Sequence, residues 1–159
     1  MNATTTVTAD DNNAYRFPVS VKGVVIDHDD RVLLLRNCRD EWELPGGKLE
    51  LGEDPAICVG REIEEEAGWP VRVQRILDSW VYHICDGVDV LIVTYGCQLE
   101  TDDPPVVSHE HKEAGLFSAA EVPGLNMPDG YKQSVTEWFN RRRSVTEPST
   151  GRSPTVTRL

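Results

Sequence analysis

Four glutamates stand within five residues in the stretch REIEEEAGW, Arg61 to Trp69. At about 3.6 residues per helical turn, Glu62, Glu65 and Glu66 project onto one face about 100° wide, while Glu64 points elsewhere and reads as a solvated residue. Carboxylates spaced i, i+3 and i+4 repel one another, at about 0.2–0.5 kcal/mol per like-charged pair. They also sit in the last turns of the helix, where the dipole favours cations. A hard divalent cation that prefers oxygen ligands, Mg2+ or Mn2+, removes both conflicts. A plain solvated acidic face is the alternative that the helix by itself leaves open.

Other elements must hold that face in place. Asp54 is suited to cap the helix, Pro55 to its first position and Gly68 to its end. Ala56, Gly60, Ile63 and Ala67, with Val59 beside them, form a small-residue stripe that can lie close against a sheet. Upstream, FPVSVKGVVID and RVLLLRN flank HDD as strand, turn and strand, and WELPGGKLELGEDP reads as a loop with at most a short extended piece. VRVQRILDSWVYHI and DVLIVTYGCQLE are β-rich runs joined at CDG, EAGLFS is a short strand, and GYKQSVTEWFNRRR is a final amphipathic helix. This order predicts an α/β (α+β) sandwich. Residues 1–14 and 144–159, rich in Thr, Asn, Ser and Pro, read as a disordered arm and tail around a domain spanning 15–143.

The chain has 159 residues, enough for one domain with its own core, and a formal net charge of −11. That charge argues against a nucleic-acid polymer or an anionic membrane as partner, but not against a nucleotide that arrives with divalent cations. There is no apolar run of membrane-spanning length and no signal-peptide layout, so a cytoplasmic protein is expected. Cys38, Cys58, Cys85 and Cys97 contain no C-x-x-C pair and read as free thiols. His109 and His111 read as solvated loop residues, and Arg141 to Arg143 as the basic end of the last helix. A homodimer is left open.

The segment before the glutamates sharpens the chemistry. PGGKLELGE supplies Gly46, Gly47 and Gly52, where backbone can approach phosphate or metal closely, and Lys48 as a neighbouring cation. From Gly47 the chain runs Gly, five residues, Glu53, seven residues, then Arg61-Glu62-Ile63-Glu64-Glu65-Glu66-Ala67-Gly68-Trp69. This resembles the Nudix box, G-x5-E-x7-R-E-U-x-E-E-x-G-U, at every specified position. Seven fixed identities coincide about once in 10⁸ starting positions at ordinary residue frequencies.

The resemblance to the Nudix hydrolases covers about Phe17 to Arg143. It implies an α/β/α sandwich with a mixed sheet, the box forming loop–helix–loop. It also implies Glu62, Glu65, Glu66 and the Gly46 carbonyl as metal ligands, and a Glu53–Arg61 brace. The implied reaction is attack of water on phosphorus in a nucleoside diphosphate linked to another group, with Mg2+ or Mn2+ as cofactor. The general base would be either a box glutamate or a carboxylate from the loop SHEHKEAG, with Glu110 ahead of Glu113. Lys48, Arg36 and Asn126 are the candidate substrate contacts, with a turn and cap role the alternative for Asn126 and Asp129. The length and LNMPDG fit the small MutT-type members. The absence of a proline in DSWVYHICDG counts against the ADP-ribose type. Trp42, Trp80, Tyr82 and Phe117 read as packed aromatics rather than base-stacking ones. The competing function is a non-catalytic Nudix-like nucleotide-binding or sensor module.

Overall fold

The computed structural model describes residues 16–109 and 113–146. The arm through Ala14 and residues 147–159 of the expected tail lie outside them. The strands β1 (Val19–Ile26) and β2 (Arg31–Arg36) form the expected strand–turn–strand unit, paired antiparallel at Ile26 and Val32. Its turn is built by Asp27, whose carboxylate accepts from the backbone N–H of Asp29 and Arg31 and from the Arg31 guanidinium. Then come β3 (Trp42–Glu43), β4 (Gly46–Lys48), α1 (Pro55–Ala67), β5 (Val71–Cys85), β6 (Val88–Leu99), β7 (Glu113–Ser118) and α2 (Asp129–Thr146).

The sheet runs β3-β2-β1-β6-β5, with β4 also pairing β1 and β7 pairing β2. β1 and β6 are parallel and the remaining pairs antiparallel, so the sheet is mixed. Period-two alternation sorts the strands' apolar residues into two cores. Val21 and Val25 of β1, Leu33 and Leu35 of β2 and Cys97 and Leu99 of β6 pack with Val59, Ile63 and Ala67 of α1. Val24, Ile26, Val32, Leu34 and Ile92 pack with Tyr131, Val135, Trp138 and Phe139 of α2. The result is the expected sandwich, a sheet between two helices. Among the described residues, no helix is long and apolar enough to cross a membrane.

Two features differ from expectation. The segment WELPGGK is not plain loop: Trp42–Glu43 pairs with β2, and Gly46–Lys48 pairs in register with Ser20–Lys22 of β1. Only a glycine could join that ladder at position 46, where φ is +138° and a Cβ would fall 2.1 Å from the Val21 carbonyl oxygen. The last helix also continues past the expected boundary at Ser144, to Thr146. These final turns hold the i,i+4 pair of Arg141 with Glu137 and a bond from Ser144 Oγ to the Asn140 carbonyl.

The aromatic side chains at Trp42, Trp80, Tyr82 and Phe117 pack half-buried against the second core. Trp42 meets Phe117 edge-on at 4.8 Å between ring centroids, and Trp80 meets Tyr131 at 5.1 Å.

Candidate active site

The start and end of α1 follow from its sequence. The Asp54 side chain accepts from the Ala56 N–H at 2.9 Å, Pro55 opens the helix, and Gly68 closes it in the left-handed region at φ +65°. Its last turn carries no basic residue. The carbonyls there are met instead by backbone: Gly68 N–H donates to Glu64, Val106 to Ala67 and Ser108 to Glu66. The segment Val106–Ser108 is thereby tied to the end of the glutamate helix.

Arg61 organises the carboxylates. Its Nε and Nη2 donate to the two oxygens of Glu53 at 2.8 and 3.2 Å, a bidentate pair across the loop. Its Nη1 donates to Glu62 at 2.9 Å and Glu65 at 3.1 Å. The expected brace is therefore present as an ion pair, and the same guanidinium also answers two of the three crowded glutamates. Glu66 goes the other way. It is only 5% exposed, and its Oε2 accepts from the Gly46 N–H at 2.8 Å. Glu64 is exposed, as its place on the helix required. Cys58, outside the expected stripe, is fully buried beneath the folded-over loop, its Sγ 3.6 Å from the Lys48 carbonyl; burial, with Glu53 nearby, pushes its thiol up to about 12.

Among the described residues, no three His, Cys, Asp or Glu side chains stand together as a ready metal cage, because Arg61 draws Glu62 and Glu65 while Glu66 is turned to Gly46. The donor set nonetheless suits a hard cation: three carboxylates and the Gly46 carbonyl offer oxygen alone. Gly47 makes room beside them, since a Cβ there would lie 2.4 Å from the Glu62 carboxyl carbon. These residues fit Mg2+ or Mn2+.

The hydrogen bond from Arg61 holds the Glu53 carboxyl at about 2, below its ordinary 4.5. A depressed folded value means the brace contributes fully above about pH 4.5 and is lost as pH falls through about 2. Denaturant titrations of wild type and Glu53→Gln at a series of pH values should show a constant stability gap from neutral pH down to about 4.5, shrinking towards pH 2. A gap that already closes near pH 6 would contradict this.

The other candidates are dispersed. Lys48 is exposed, next to Gly47. Arg36 donates to Glu113 at 3.3 Å and lies over the Trp42 ring, 6.0 Å from its centroid. Asn126 Nδ2 donates to the Asp40 carbonyl at 3.1 Å, and its own carbonyl accepts from Trp42 N–H. These bonds of Arg36 and Asn126 gather around the β2–β3 turn rather than the glutamate face. Glu113 is the first residue of β7, and Glu110 lies outside the described residues.

Sequence reasoning missed Lys22, whose Nζ donates to the Gly46 carbonyl at 3.1 Å, and Glu43, 3.8 Å from the same ammonium. The available signal was a lysine inside the apolar run VSVKGVVI. A cavity of about 560 Å3 lies at the far end of β1, lined by Ile26, Arg75, Leu99, Trp138 and Arg142, and includes none of the glutamates. Here chemistry, not volume, marks the site.

The model of the NUDIX domain matches residues 16–139, and the chain belongs to the NUDIX family. It is 49% identical over 59 residues to a MutT-like protein of Streptomyces ambofaciens, covering 36% of this chain and 38% of that protein. Over 111 residues it is 44% identical to a putative ADP-ribose pyrophosphatase of Bacillus subtilis, covering 67% of this chain and 52% of the relative. The matches thus span about half or less of these curated relatives. Among solved structures, a MutT protein from Methanosarcina mazei superposes with a TM-score of 0.66 at 24% identity, over 80% of this chain and 95% of that one. A C. elegans Ap4A hydrolase reaches 0.70 at 17% identity, over 80% and 98%. At these identities the structures establish the shared fold.

Proposed function

We propose that the chain is a divalent-metal-dependent hydrolase that cleaves the pyrophosphate linkage of a nucleoside diphosphate joined to another moiety. The observation that carries this reading is Glu66 bonded to Gly46 and Glu62 set against Gly47, with Arg61 linking Glu62 and Glu65 to Glu53. Relatives named as a putative ADP-ribose pyrophosphatase and as an 8-oxo-dGDP phosphatase of Homo sapiens support the substrate class.

Glu62, Glu65, Glu66 and the Gly46 carbonyl would hold the cations. When bound, these neutralise diphosphate charge and acidify water. The chain's own residues do the rest. The Glu53–Arg61 pair keeps the loop against α1, and Arg61 restrains the side chains of Glu62 and Glu65. Phosphate approaches beside Gly47, with the exposed Lys48 ammonium next to it. Glu110 follows two residues after Ser108, whose N–H donates to the main-chain carbonyl of Glu66, and serves as the general base that takes the proton of the attacking water.

The test is hydrolysis of ADP-ribose, a nucleotide sugar, a dinucleoside polyphosphate, and normal and oxidised nucleoside triphosphates, with Mg2+ or Mn2+ and with chelator. Metal-dependent turnover with one clear preference is expected. Folded, metal-binding protein that turns over none of them would favour the binding-module reading.

A further inference from the structure

Lys22 places a charge in the middle of β1 with only 7% of its surface exposed. A buried ammonium carries a desolvation cost, and an apolar residue of similar volume would fill the strand without it. The lysine is also not needed to put Gly46 where it is, because Ser20–Lys22 and Gly46–Lys48 are already paired in register through their backbones. What the lysine adds is a charge against one atom. Its Nζ donates to the Gly46 carbonyl at 3.1 Å, while the Gly46 N–H donates to the buried Glu66 carboxylate at 2.8 Å. A cation and an anion therefore grip the two polar groups of one glycine from opposite sides.

We infer that Lys22 is the resident counter-cation of the glutamate face, set against the Gly46 carbonyl and holding down the face's affinity for divalent cations. This rests on the metal reading of the face proposed above. A carbonyl oxygen has two lone pairs, so it can accept the ammonium and still act as a ligand. Two cations on one oxygen nevertheless repel, and the repulsion is strong where water is largely excluded. Glu43, 3.8 Å from the ammonium, is a second carboxylate beside the lysine.

The experiment measures Mn2+ binding by the electron paramagnetic resonance of free Mn2+, without nucleotide, on proteins shown to be folded by circular dichroism. Lys22→Gln keeps a donor for the carbonyl but removes the charge, Lys22→Met removes both, and Lys22→Arg keeps both. The neutral variants are expected to bind Mn2+ about tenfold more tightly than wild type, as relief of cation–cation repulsion requires, and the arginine variant about as wild type does. Glu66→Gln, the control for the metal reading, is expected to bind about tenfold or more weakly. Binding weakened by Glu66→Gln but unchanged in both neutral variants overturns the role of Lys22 alone. So does loss of binding in Lys22→Met that Lys22→Gln restores, which would make the lysine a hydrogen-bond donor only. A wild type that binds no Mn2+, or that ignores Glu66→Gln, overturns the metal reading together with this inference.

Discussion

Glu66→Gln is expected to lower metal-dependent turnover at least about a hundredfold, since replacing even an outer partner of a metal ligand commonly costs 10–100-fold. The substitution preserves shape. The glutamine oxygen can still accept the Gly46 N–H that Glu66 Oε2 accepts at 2.8 Å, so the loop–helix contact persists while the charge is gone. Glu64→Gln provides the contrast, because Glu64 is exposed and falls on a different helix face from Glu62 and Glu66. It should change turnover by less than about twofold, as surface substitutions away from sites usually do. Steady-state kinetics under saturating Mg2+, with thermal unfolding of each variant, checks both. Equal losses in the two variants, with lowered melting temperatures, would mean that the glutamates matter for folding and not for metal.

Gly46→Ala is expected to cost the fold more than any loss of a single glutamate. An alanine Cβ would sit 2.1 Å from the Val21 carbonyl oxygen and 2.8 Å from the Lys22 Cα, at a φ of +138° that side chains rarely adopt. Neither obstacle is the end of a flexible side chain, so β1 and β4 must separate locally. Backbone strain and overpacking each cost about 1–3 kcal/mol, which together is a large share of an ordinary domain's 5–15 kcal/mol. A fall in melting temperature of about 10 °C or more should follow for a chain of this length. Calorimetry reads it directly. Retention of wild-type stability would show that β4 is not clamped to β1 in solution. Gly52→Ala is a useful comparison, since no atom lies within 4 Å of the Cβ it would add, although its φ of +81° still carries strain.

Much of this architecture could be read from local pattern. Asp54, Pro55 and Gly68 set the limits of α1, because capping and φ restrictions act over a few residues. The hairpin at Cys85–Val88 was marked by Asp86-Gly87, with Gly87 at φ +76°. The continuous apolar runs in β1 and β2 marked strands buried on both faces, and period two split their side chains between the two cores. The Nudix spacing located the glutamate face and paired Glu53 with Arg61, which are eight residues apart and brought together by one loop and two helical turns.

What lay beyond the sequence were contacts between segments distant in the chain. Helix projection grouped Glu62, Glu65 and Glu66 as equals. Only tertiary structure divided them, giving Glu62 and Glu65 to Arg61 and burying Glu66 against Gly46, twenty residues earlier. Lys22 looked like an interruption of a strand until β4 paired with β1 and set its ammonium against the Gly46 carbonyl. Ser108 looked like loop until its N–H met the carbonyl of Glu66. Caps, turns and face periodicity are short-range properties that a residue and its near neighbours determine. Which carboxylate is buried, and which cation answers it, depends on which strands lie side by side, and that is decided only when the whole sheet has formed.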